Sequence, residues 1–212
     1  MARQQRAMRT RSLLVQAAST EFDRSGYEGT TLTQINQLAG ISMGALTFHF
    51  PTKRALAEAV QQQGREQVRD AIADVVAKHR PALATGVALT VTLARLLEEN
   101  VEVRAAARLA RECSRSTWAS EWLPVLRDLF RRAQEECGLR PGSDPDALAA
   151  LAAHLVAGAE LQLRDELALR GGTESLAGDP AASPVVQLAQ IWRVVLRGII
   201  VKSLSEYEQD LV

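Results

Sequence analysis

Short hydroxyl and uncharged side chains are concentrated in one N-terminal segment of the chain. Thr31, Thr33 and Ser42 lie at or near the starts of short helical patterns, where their hydroxyls can donate hydrogen bonds to phosphate oxygens. The segment from Met43 to Phe48 has small or uncharged side chains, which would let a helix backbone approach the base edges in a DNA major groove. This combination indicates binding to double-stranded DNA.

Catalytic and metal-binding patterns are missing from the sequence. The three histidines, His49, His79 and His154, form neither HExxH nor ExxH, and no GxSxG, P-loop or GxGxxG pattern occurs. Cys113 and Cys137 lie 24 positions apart without a CxxC partner, so we expect reduced thiols. The sequence predicts a protein that is not an enzyme and that uses no cofactor or metal.

Charge is distributed unevenly along the chain. Residues 1–54 contain seven basic and three acidic side chains, a net charge of +4, and the remainder therefore carries −4 because the whole chain is neutral. A positive N-terminal part can hold phosphates at one end of a protein. No apolar stretch approaches the roughly 20 residues of a membrane helix, and no signal-peptide pattern follows the basic N-terminus. We expect a cytoplasmic protein without a membrane partner.

Helical spacing of apolar residues extends over the whole chain. Ala and Leu dominate the 47% of apolar residues, whereas aromatic residues make up only 4%, which favours helix over strand. The sequence therefore predicts an all-α fold of about nine helices. The predicted helices are Thr10–Ser25, Leu32 to Gly40, Met43 to about His49, Lys53 to Val76, Pro81 to Asn100, Val101–Glu112, Trp118–Glu136, Pro145 to Leu169, and Val185–Glu206.

A short turn joins the second and third predicted helices. Thr31 and Gln34 have the spacing of a capping box at the start of the second helix. Gly40 ends that helix and allows a tight turn, after which Ser42 can cap the third helix. Three short helices with this turn between the last two are typical of a helix-turn-helix.

Apolar spacing divides the faces of these two helices. Leu32, Ile35 and Leu38 are predicted to face inward on the second helix. Leu46 and Phe50, four residues apart, form the predicted buried side of the third helix. The residues of the third helix predicted to point outward or sideways are Met43, Gly44, Ala45, Thr47 and Phe48.

Three motifs follow one another within about 40 residues of this N-terminal part: Phe22-x-x-x-Gly26-Tyr27-x-x-Thr30-Thr31, Ile35-x-x-x-Ala39-Gly40-Ile41-Ser42, and Gly44-Ala45-Leu46-x-Phe48-His49-Phe50-x-x-Lys53. In order and spacing they resemble the signature of the TetR family of repressors. The segments 2–4 and 44–50, with the body segments 103–110 and 121–122, show a narrower likeness to the γ-butyrolactone autoregulator receptors of antibiotic-producing actinomycetes.

The resemblance implies roles for individual residues of the N-terminal part. His49 and Lys53 match positions that hold phosphates, although His49 could instead contact only carbonyls at the helix end. Arg3 belongs to a basic N-terminal arm that we expect to contact DNA. Family members commonly have Lys at the position of Met43 and Tyr at that of Thr47. Losing both should weaken non-specific DNA affinity or alter the preferred operator.

The resemblance also implies a function for the whole chain. Residues 1–53 would be the DNA-binding domain and residues 54–212 a ligand-binding and dimerisation domain of a homodimeric repressor. A butyrolactone, butenolide or furan type of inducer would release it from a palindromic operator that controls antibiotic biosynthesis genes. The open alternatives are a pseudo-receptor with a different ligand or none and, in another class, a helical interaction module that does not bind DNA.

A ligand pocket is expected in the body. Trp122 matches the position at which a tryptophan lines the pocket of the receptor branch, and its alternative is an ordinary core position. His154 lies on an Ala/Leu-rich face, where its alternative is a core histidine with satisfied hydrogen bonds. The expected lining residues are Leu89, Leu93, Leu109, Trp122, Val125, Leu126, Leu129 and His154.

Two apolar stripes on the last long helices are candidates for the dimer interface. A symmetric dimer would place both third helices in successive major grooves. The alternative is that the stripes enter the core of their own chain, since an apolar stripe does not reveal whose core it joins. The expected interface residues are Leu151, Leu155, Gly158, Ile191, Val195 and Ile199.

Overall fold

The computed structural model describes residues 2–113, 118–136, 138–169 and 183–200, and helices account for most of them. The prediction of an all-α fold with about nine helices is confirmed for these residues. The α-helices are α1 (Ala2–Gly29), α2 (Leu32–Ala39), α3 (Met43–His49), α4 (Lys53–Val76), α5 (Ala82–Glu99), α6 (Val101–Cys113), α7 (Leu123–Glu135), α8 (Pro145–Leu169) and α9 (Pro184–Ile199), and a short 3₁₀ helix spans Trp118–Glu121.

Two helices differ from their predicted bounds for local reasons. α1 begins at Ala2 and passes through a kink at Gly26, where φ is 70° and ψ is −178°, so this glycine bends the helix before its last turn. α7 begins at Leu123 rather than at Trp118. Its first turn contains Pro124, which fits a helix start but would disrupt a helix interior, so Trp122 becomes the N-cap.

Cysteines and metal ligands are sparse in the described part of the chain. Cys113 is an exposed free thiol, and Cys137 lies outside the described residues. Within the described ranges, no three His, Cys, Asp or Glu side chains are grouped closely enough to hold a metal ion. The predicted continuation of the last helix to Glu206 also lies outside these ranges.

The described helices form two compact units. The first contains residues 1–67 and 100–118, and the second contains residues 68–99 and 119–212. The first unit thus extends past residue 53 into α4 and also includes α6, whereas a functional boundary near residue 53 stays a prediction. α6 belongs to the first unit because it packs along α1, so a segment distant in the sequence completes the N-terminal core.

A single apolar cluster holds the first unit together. Leu14, Phe22 and the neighbouring small residues of α1 meet Ile35 of α2 and Leu46 of α3, all fully or almost fully buried. The predicted inward position of Leu38 is wrong, because this side chain is 52% exposed. Ala39 and Ile41 pack against the cluster instead. The complete set of buried members is Leu14, Val15, Ala17, Ala18, Phe22, Ile35, Leu46, Phe50, Leu56, Ala57, Val60, Ala105 and Leu109.

The second unit packs α5, α7, α8 and α9 around large buried side chains. Trp192 of α9 donates a 2.7 Å hydrogen bond from its indole Nε1 to Thr90 Oγ1 in α5, so its polar group is satisfied inside the core. Gly86 lets the Phe130 ring approach α5, since a Cβ at Gly86 would lie 2.6 Å from the ring. α8 is the one described helix that is long and apolar enough to resemble a membrane span, with a mean hydropathy of 1.2. It packs against α5, α7 and α9, as a core helix does.

Two helical glycines of the first unit, Gly64 within α4 and Gly44 in the first turn of α3, provide a test of this packing. A Cβ at Gly64 of α4 would clash with Ala106 Cβ and lie 3.0 Å from the Glu102 carbonyl oxygen of α6, whereas a Cβ at Gly44 of α3 would meet nothing within 4 Å. We expect Gly64→Ala to lower the free energy of unfolding by about 1–3 kcal/mol. Gly44→Ala should raise it slightly, because alanine favours helix. Thermal unfolding at one protein concentration measures both, and equal effects would contradict the close approach of α4 to α6.

Candidate nucleic-acid interface

The connection between α2 and α3 is fixed by hydrogen bonds within the segment. Thr31 Oγ1 accepts from the Gln34 backbone N–H at 3.2 Å, and Gln34 Oε1 accepts from the Thr31 backbone N–H at 2.8 Å, so the predicted capping box is present. Gly40 adopts a left-handed conformation with φ of 64°, and Ser42 Oγ accepts from the Ala45 N–H at 3.3 Å. These local contacts set the direction in which α3 leaves the turn.

α3 has one buried side and one open side, as the spacing predicted. Leu46 is fully buried and Phe50 is 3% exposed, and both belong to the core of the first unit. On the opposite side, Phe48 is 82% exposed and Met43 is 39% exposed. Gly44 and Thr47 are exposed on this side, whereas Ala45 and His49 are half-buried.

Local hydrogen bonds engage several of the hydroxyls expected to reach phosphates. Thr31 Oγ1 donates to Gln34 Oε1 at 2.7 Å, so its proton is used inside the capping box. Thr47 Oγ1 lies 3.1 Å from the Met43 carbonyl oxygen and 3.2 Å from that of Gly44, and it donates back into its own helix. Ser42 acts as an acceptor in its cap, and Thr33 is exposed on α2. These last two hydroxyls are therefore better placed to contact a phosphate.

Lys53 stabilises the fold in addition to any role at DNA. Its Nζ donates to the carbonyl oxygens of Tyr27 at 2.8 Å and Thr30 at 3.0 Å, and it lies 4.4 Å from the centroid of the Tyr27 ring. The ammonium thus satisfies carbonyl groups at the end of α1 and stacks on an aromatic face. His49 makes an edge contact with Phe48, with ring centroids 5.2 Å apart.

The first half of α1 is a basic arm. Arg6, Arg9 and Arg11 lie on it, and the guanidinium of Arg11 lies 5.2 Å from the centroid of the Phe50 ring. This contact brings positive charge to the helix that follows the turn. Arg3 lies in the same helix, but its side chain is outside the described part of the structure.

An ionic network joins the end of α1 to α6. Arg104 Nε lies 2.8 Å from Asp23 Oδ2, and Arg108 Nη1 donates to the Asp23 carbonyl oxygen at 2.6 Å. Arg108 also pairs with Glu112, whose Oε2 accepts from the Tyr27 backbone N–H at 2.6 Å. These three side chains of α6 were not predicted from the sequence. Their i, i+4, i+8 spacing, which places them on one helical face, was the available signal.

Burial and pairing shift the pKa values of the acidic members of this network. Burial raises the pKa of Asp23 above its ordinary value, although the charge and hydrogen bond of Arg104 act in the opposite direction. Burial also acts to raise the pKa of Glu112. The hydrogen bonds from Arg108 and the Tyr27 N–H outweigh it, so this pKa lies below its usual value. Asp23 is therefore the member that depends most on its cationic partner.

The residues expected to line a ligand pocket do not all come together. Leu89, Leu93, Leu126 and Leu129 are buried in the second unit, Trp122 is 2% exposed at the start of α7, and Val125 is half-buried. Leu109 and His154 are not buried with these residues, and their role in ligand binding stays a prediction. Leu109 is fully buried in the apolar cluster of the first unit, because α6 packs along α1.

His154 lies on the open side of α8. This side chain is exposed, and its Nδ1 lies 2.7 Å from the Ala150 carbonyl oxygen of the preceding turn. The buried face of α8 carries Ala149, Ala152 and Val156 instead. His154 therefore does not face the core of this unit in the single chain.

The stripes expected to form a dimer interface remain partly open in the single chain. Gly158 is exposed, and a Cβ placed there would meet nothing within 4 Å, while Ile191 is 42% exposed. Leu161 of α8 and Val194 of α9, which were not selected from the sequence, are 50% and 70% exposed. The half-buried members of the expected set are Leu151 and Leu155 on α8 and Val195 and Ile199 on α9.

The N-terminal helices are similar to a known family of regulators. Residues 14–60 match the family described as "Bacterial regulatory proteins, tetR family". The A-factor receptor protein of Streptomyces griseus is 41% identical over 63 residues, which are 30% of this chain and 23% of that protein. This match therefore spans about a quarter of the receptor's length.

Two solved structures are similar to nearly the whole chain. One is a γ-butyrolactone receptor (ArpA-like protein), with 26% identity and a TM-score of 0.76 over 97% of this chain and 96% of the other. The second is the TetR family protein CprB from Streptomyces coelicolor in complex with its operator sequence. It has 27% identity and a TM-score of 0.71 over 97% of this chain and 94% of the other.

Replacing Arg104 tests the ionic network between α1 and α6. The raised pKa means that folded Asp23 binds its proton more tightly than unfolded Asp23 does, so its contribution to stability is lost as pH rises through the folded pKa. Without Arg104 this loss of stability grows, because less positive charge then offsets the burial of the Asp23 carboxylate. We expect Arg104→Met to lower the free energy of unfolding by about 3 kcal/mol at neutral pH. At about pH 4 this loss of stability should be clearly smaller, because protonated Asp23 needs no cation.

Urea unfolding at the two pH values measures this difference. Arg54→Met is the matched control, because Arg54 pairs with Glu58 on the surface, where both side chains are mainly exposed, and its loss should have no measurable effect. An equal loss of stability for Arg104→Met at both pH values would show that Arg104 acts by packing and not by compensating the Asp23 charge.

Proposed function

We propose that the chain is a dimeric, ligand-released repressor of the TetR family, because residues 14–60 match that family of bacterial regulatory proteins and nearly the whole chain is similar in structure to a γ-butyrolactone receptor. The observation that carries the proposal is the complete helix-turn-helix of the first unit. Its third helix buries Leu46 and Phe50 and leaves the opposite face open. An exposed, uncharged helix face beside a basic arm suits the major groove and the phosphates beside it.

Dimerisation is proposed through α8 and α9. The apolar side chains of Leu161, Ile191 and Val194 are exposed on these two helices, and a soluble monomer would leave them in contact with water. Exposed Gly158 would permit a close helix crossing at the interface. A two-fold symmetric pairing would present two recognition helices to a palindromic operator, with half-sites about 34 Å apart.

Ligand release is proposed as a population shift. The second unit contains buried apolar side chains at Leu89, Leu93, Trp122 and Leu126, which suit a small and mainly apolar molecule. α4 is one continuous helix that starts shortly after α3 and ends in the second unit, so it can carry a change in that unit to the DNA-binding helices. The ligand must bind the released state more tightly than the DNA-bound state, since otherwise no population shifts.

The relationship to γ-butyrolactone receptors supports a butyrolactone, butenolide or furan type of inducer. It also supports a cytoplasmic protein with a role in controlling antibiotic biosynthesis genes. Fluorescence anisotropy with the duplex upstream of the chain's own gene tests the DNA-binding part of the proposal. We expect a dissociation constant of about 10⁻⁸ M that rises steeply with salt concentration.

The same titration tests the inducer. Addition of a γ-butyrolactone that carries an alkyl side chain should release the duplex. Operator binding that no lactone, butenolide or furan relieves would instead identify a pseudo-receptor. Affinity no higher than that for mixed-sequence DNA would contradict the repressor function.

The Thr47→Tyr variant tests the effect of the departure from the family pattern. The short Thr47 side chain donates into its own helix, whereas a tyrosine at this exposed position extends far enough to reach a phosphate. We expect operator affinity to rise by about fivefold, which corresponds to one added hydrogen bond. Anisotropy at fixed salt measures the change, and an unchanged or weaker affinity would show that residue 47 does not approach the backbone.

A charge in the α9 stripe tests the dimer. Val194 is 70% exposed, so Val194→Asp should leave each chain folded but place a carboxylate in the proposed interface. We expect a monomer by light scattering at micromolar concentration and at least roughly a tenfold loss of operator affinity, because one chain alone holds a single half-site. Val76→Asp, at an exposed valine of α4, is the matched control and should remain dimeric. A wild-type monomer, or a dimeric Val194→Asp, would overturn this interface.

A further inference from the structure

The recognition helix α3 lacks the side chains that usually identify bases by hydrogen bonds. Residues 43–49 contain no Arg, Lys, Asn, Gln, Asp or Glu. Those residue types provide most of the specific hydrogen bonds to base edges in a major groove. Sequence preference on this helix must therefore come from another kind of contact.

The remaining polar group near the centre of α3 is engaged inside the helix. Thr47 Oγ1 donates to backbone carbonyl oxygens of Met43 and Gly44, at 3.1 Å and 3.2 Å. A base edge would have to compete with these hydrogen bonds for the hydroxyl proton. Apart from the half-buried His49 at its last residue, the helix thus offers a DNA groove mainly carbon atoms.

Phe48 stands on the open face of α3. It points away from the direction of Leu46 and Phe50, because helical residues advance by about 100° each. Its ring is 82% exposed, and the edge contact with His49 restricts its orientation. At Gly44, one turn earlier, nothing lies within 4 Å of an added Cβ, so the protein leaves open space next to the ring. Met43 adds a second exposed apolar side chain to the helix.

Charge identifies the occupant of this apolar face as DNA and not as an apolar protein surface. Residues 1–54 carry a net charge of +4, and Arg6, Arg9 and Arg11 lie in the same unit. This distribution favours a polyanion. The one apolar group that a base pair presents in the major groove is the C5-methyl of thymine.

We propose that Phe48, assisted by Met43, selects operator DNA by apolar contact with thymine methyl groups. This inference rests on the proposed function and identifies how the third helix distinguishes sequences. It assigns to Phe48 the base discrimination that a charged or amide side chain provides in other recognition helices. The operator half-site would then contain at least one thymine whose methyl group, and not its hydrogen-bonding pattern, is recognised.

Uracil in place of thymine tests the proposal directly, because uracil pairs identically with adenine and lacks only the methyl group. A duplex is first selected from a random-sequence pool by the full-length wild-type protein. Each thymine of the selected half-site is then replaced by deoxyuridine, and anisotropy at fixed salt gives the affinity. We expect about a fourfold loss for each methyl group that Phe48 contacts. The Phe48→Ala variant should lose this difference at the thymines that Phe48 contacts and keep only the smaller part that Met43 contributes.

Two further variants make every outcome decisive. Val76→Ala, which removes exposed apolar atoms from α4, should keep the full difference between thymine and uracil. Phe48→Leu retains part of the apolar surface and should show a smaller difference, and it replaces Phe48→Ala if the latter binds too weakly to measure. Circular dichroism should be unchanged, because Phe48 is mainly exposed.

The possible failures are distinguishable. Equal binding of thymine and uracil duplexes by the wild type would overturn the inference but leave the repressor function standing. A difference that persists unchanged in the Phe48 variants would assign the methyl contact to another residue and overturn the role of Phe48. No enriched sequence from the random pool would instead contradict the proposed function itself.

Discussion

The ionic contact between α1 and α6 is the constraint on which the first unit depends. Arg104 and Arg108 bind the Asp23 side chain and main chain, and Glu112 accepts from the N–H that follows the kink at Gly26. A side chain at Gly26 would collide with the Glu112 carboxylate, so the glycine at the bend leaves the space that this member of the ionic network occupies. α6 is preceded and followed in the sequence by segments of the second unit.

Local signals in the sequence predicted the helix-turn-helix closely. The capping box of Thr31 and the cap at Ser42 depend on residues at most three positions away, so the sequence contains all the information that forms them. The same holds for the start of α4 and for the buried pair Leu46 and Phe50, whose i, i+4 spacing allows one shared side. The family motifs support the proposed DNA-binding function of this segment, which its spacing alone does not reveal.

Predictions that depended on packing partners were less accurate. Leu109, Leu38 and His154 each lie on an apolar or small-residue face, but a face does not indicate which neighbour covers it. α6 packs along α1, so Leu109 enters the core of the first unit. α8 buries Ala149, Ala152 and Val156, and His154 lies on its exposed side. The ionic network was not predicted because Asp23 and Arg104 are 81 residues apart, and only the fold brings them together. The residues selected for ligand binding and dimerisation remain proposals for the same reason.

The central claim is that a dimer places the open face of α3 in successive major grooves of operator DNA. Dimethyl sulfate footprinting tests it most directly, because this reagent modifies guanine N7 on the major-groove edge. We expect protection of N7 atoms in two symmetric half-sites, with centres about 10 base pairs apart. The protection should disappear in Val194→Asp at concentrations that saturate the wild type. Protection of a single half-site by the wild type, or binding that leaves every N7 in the selected duplex reactive, would contradict the claim.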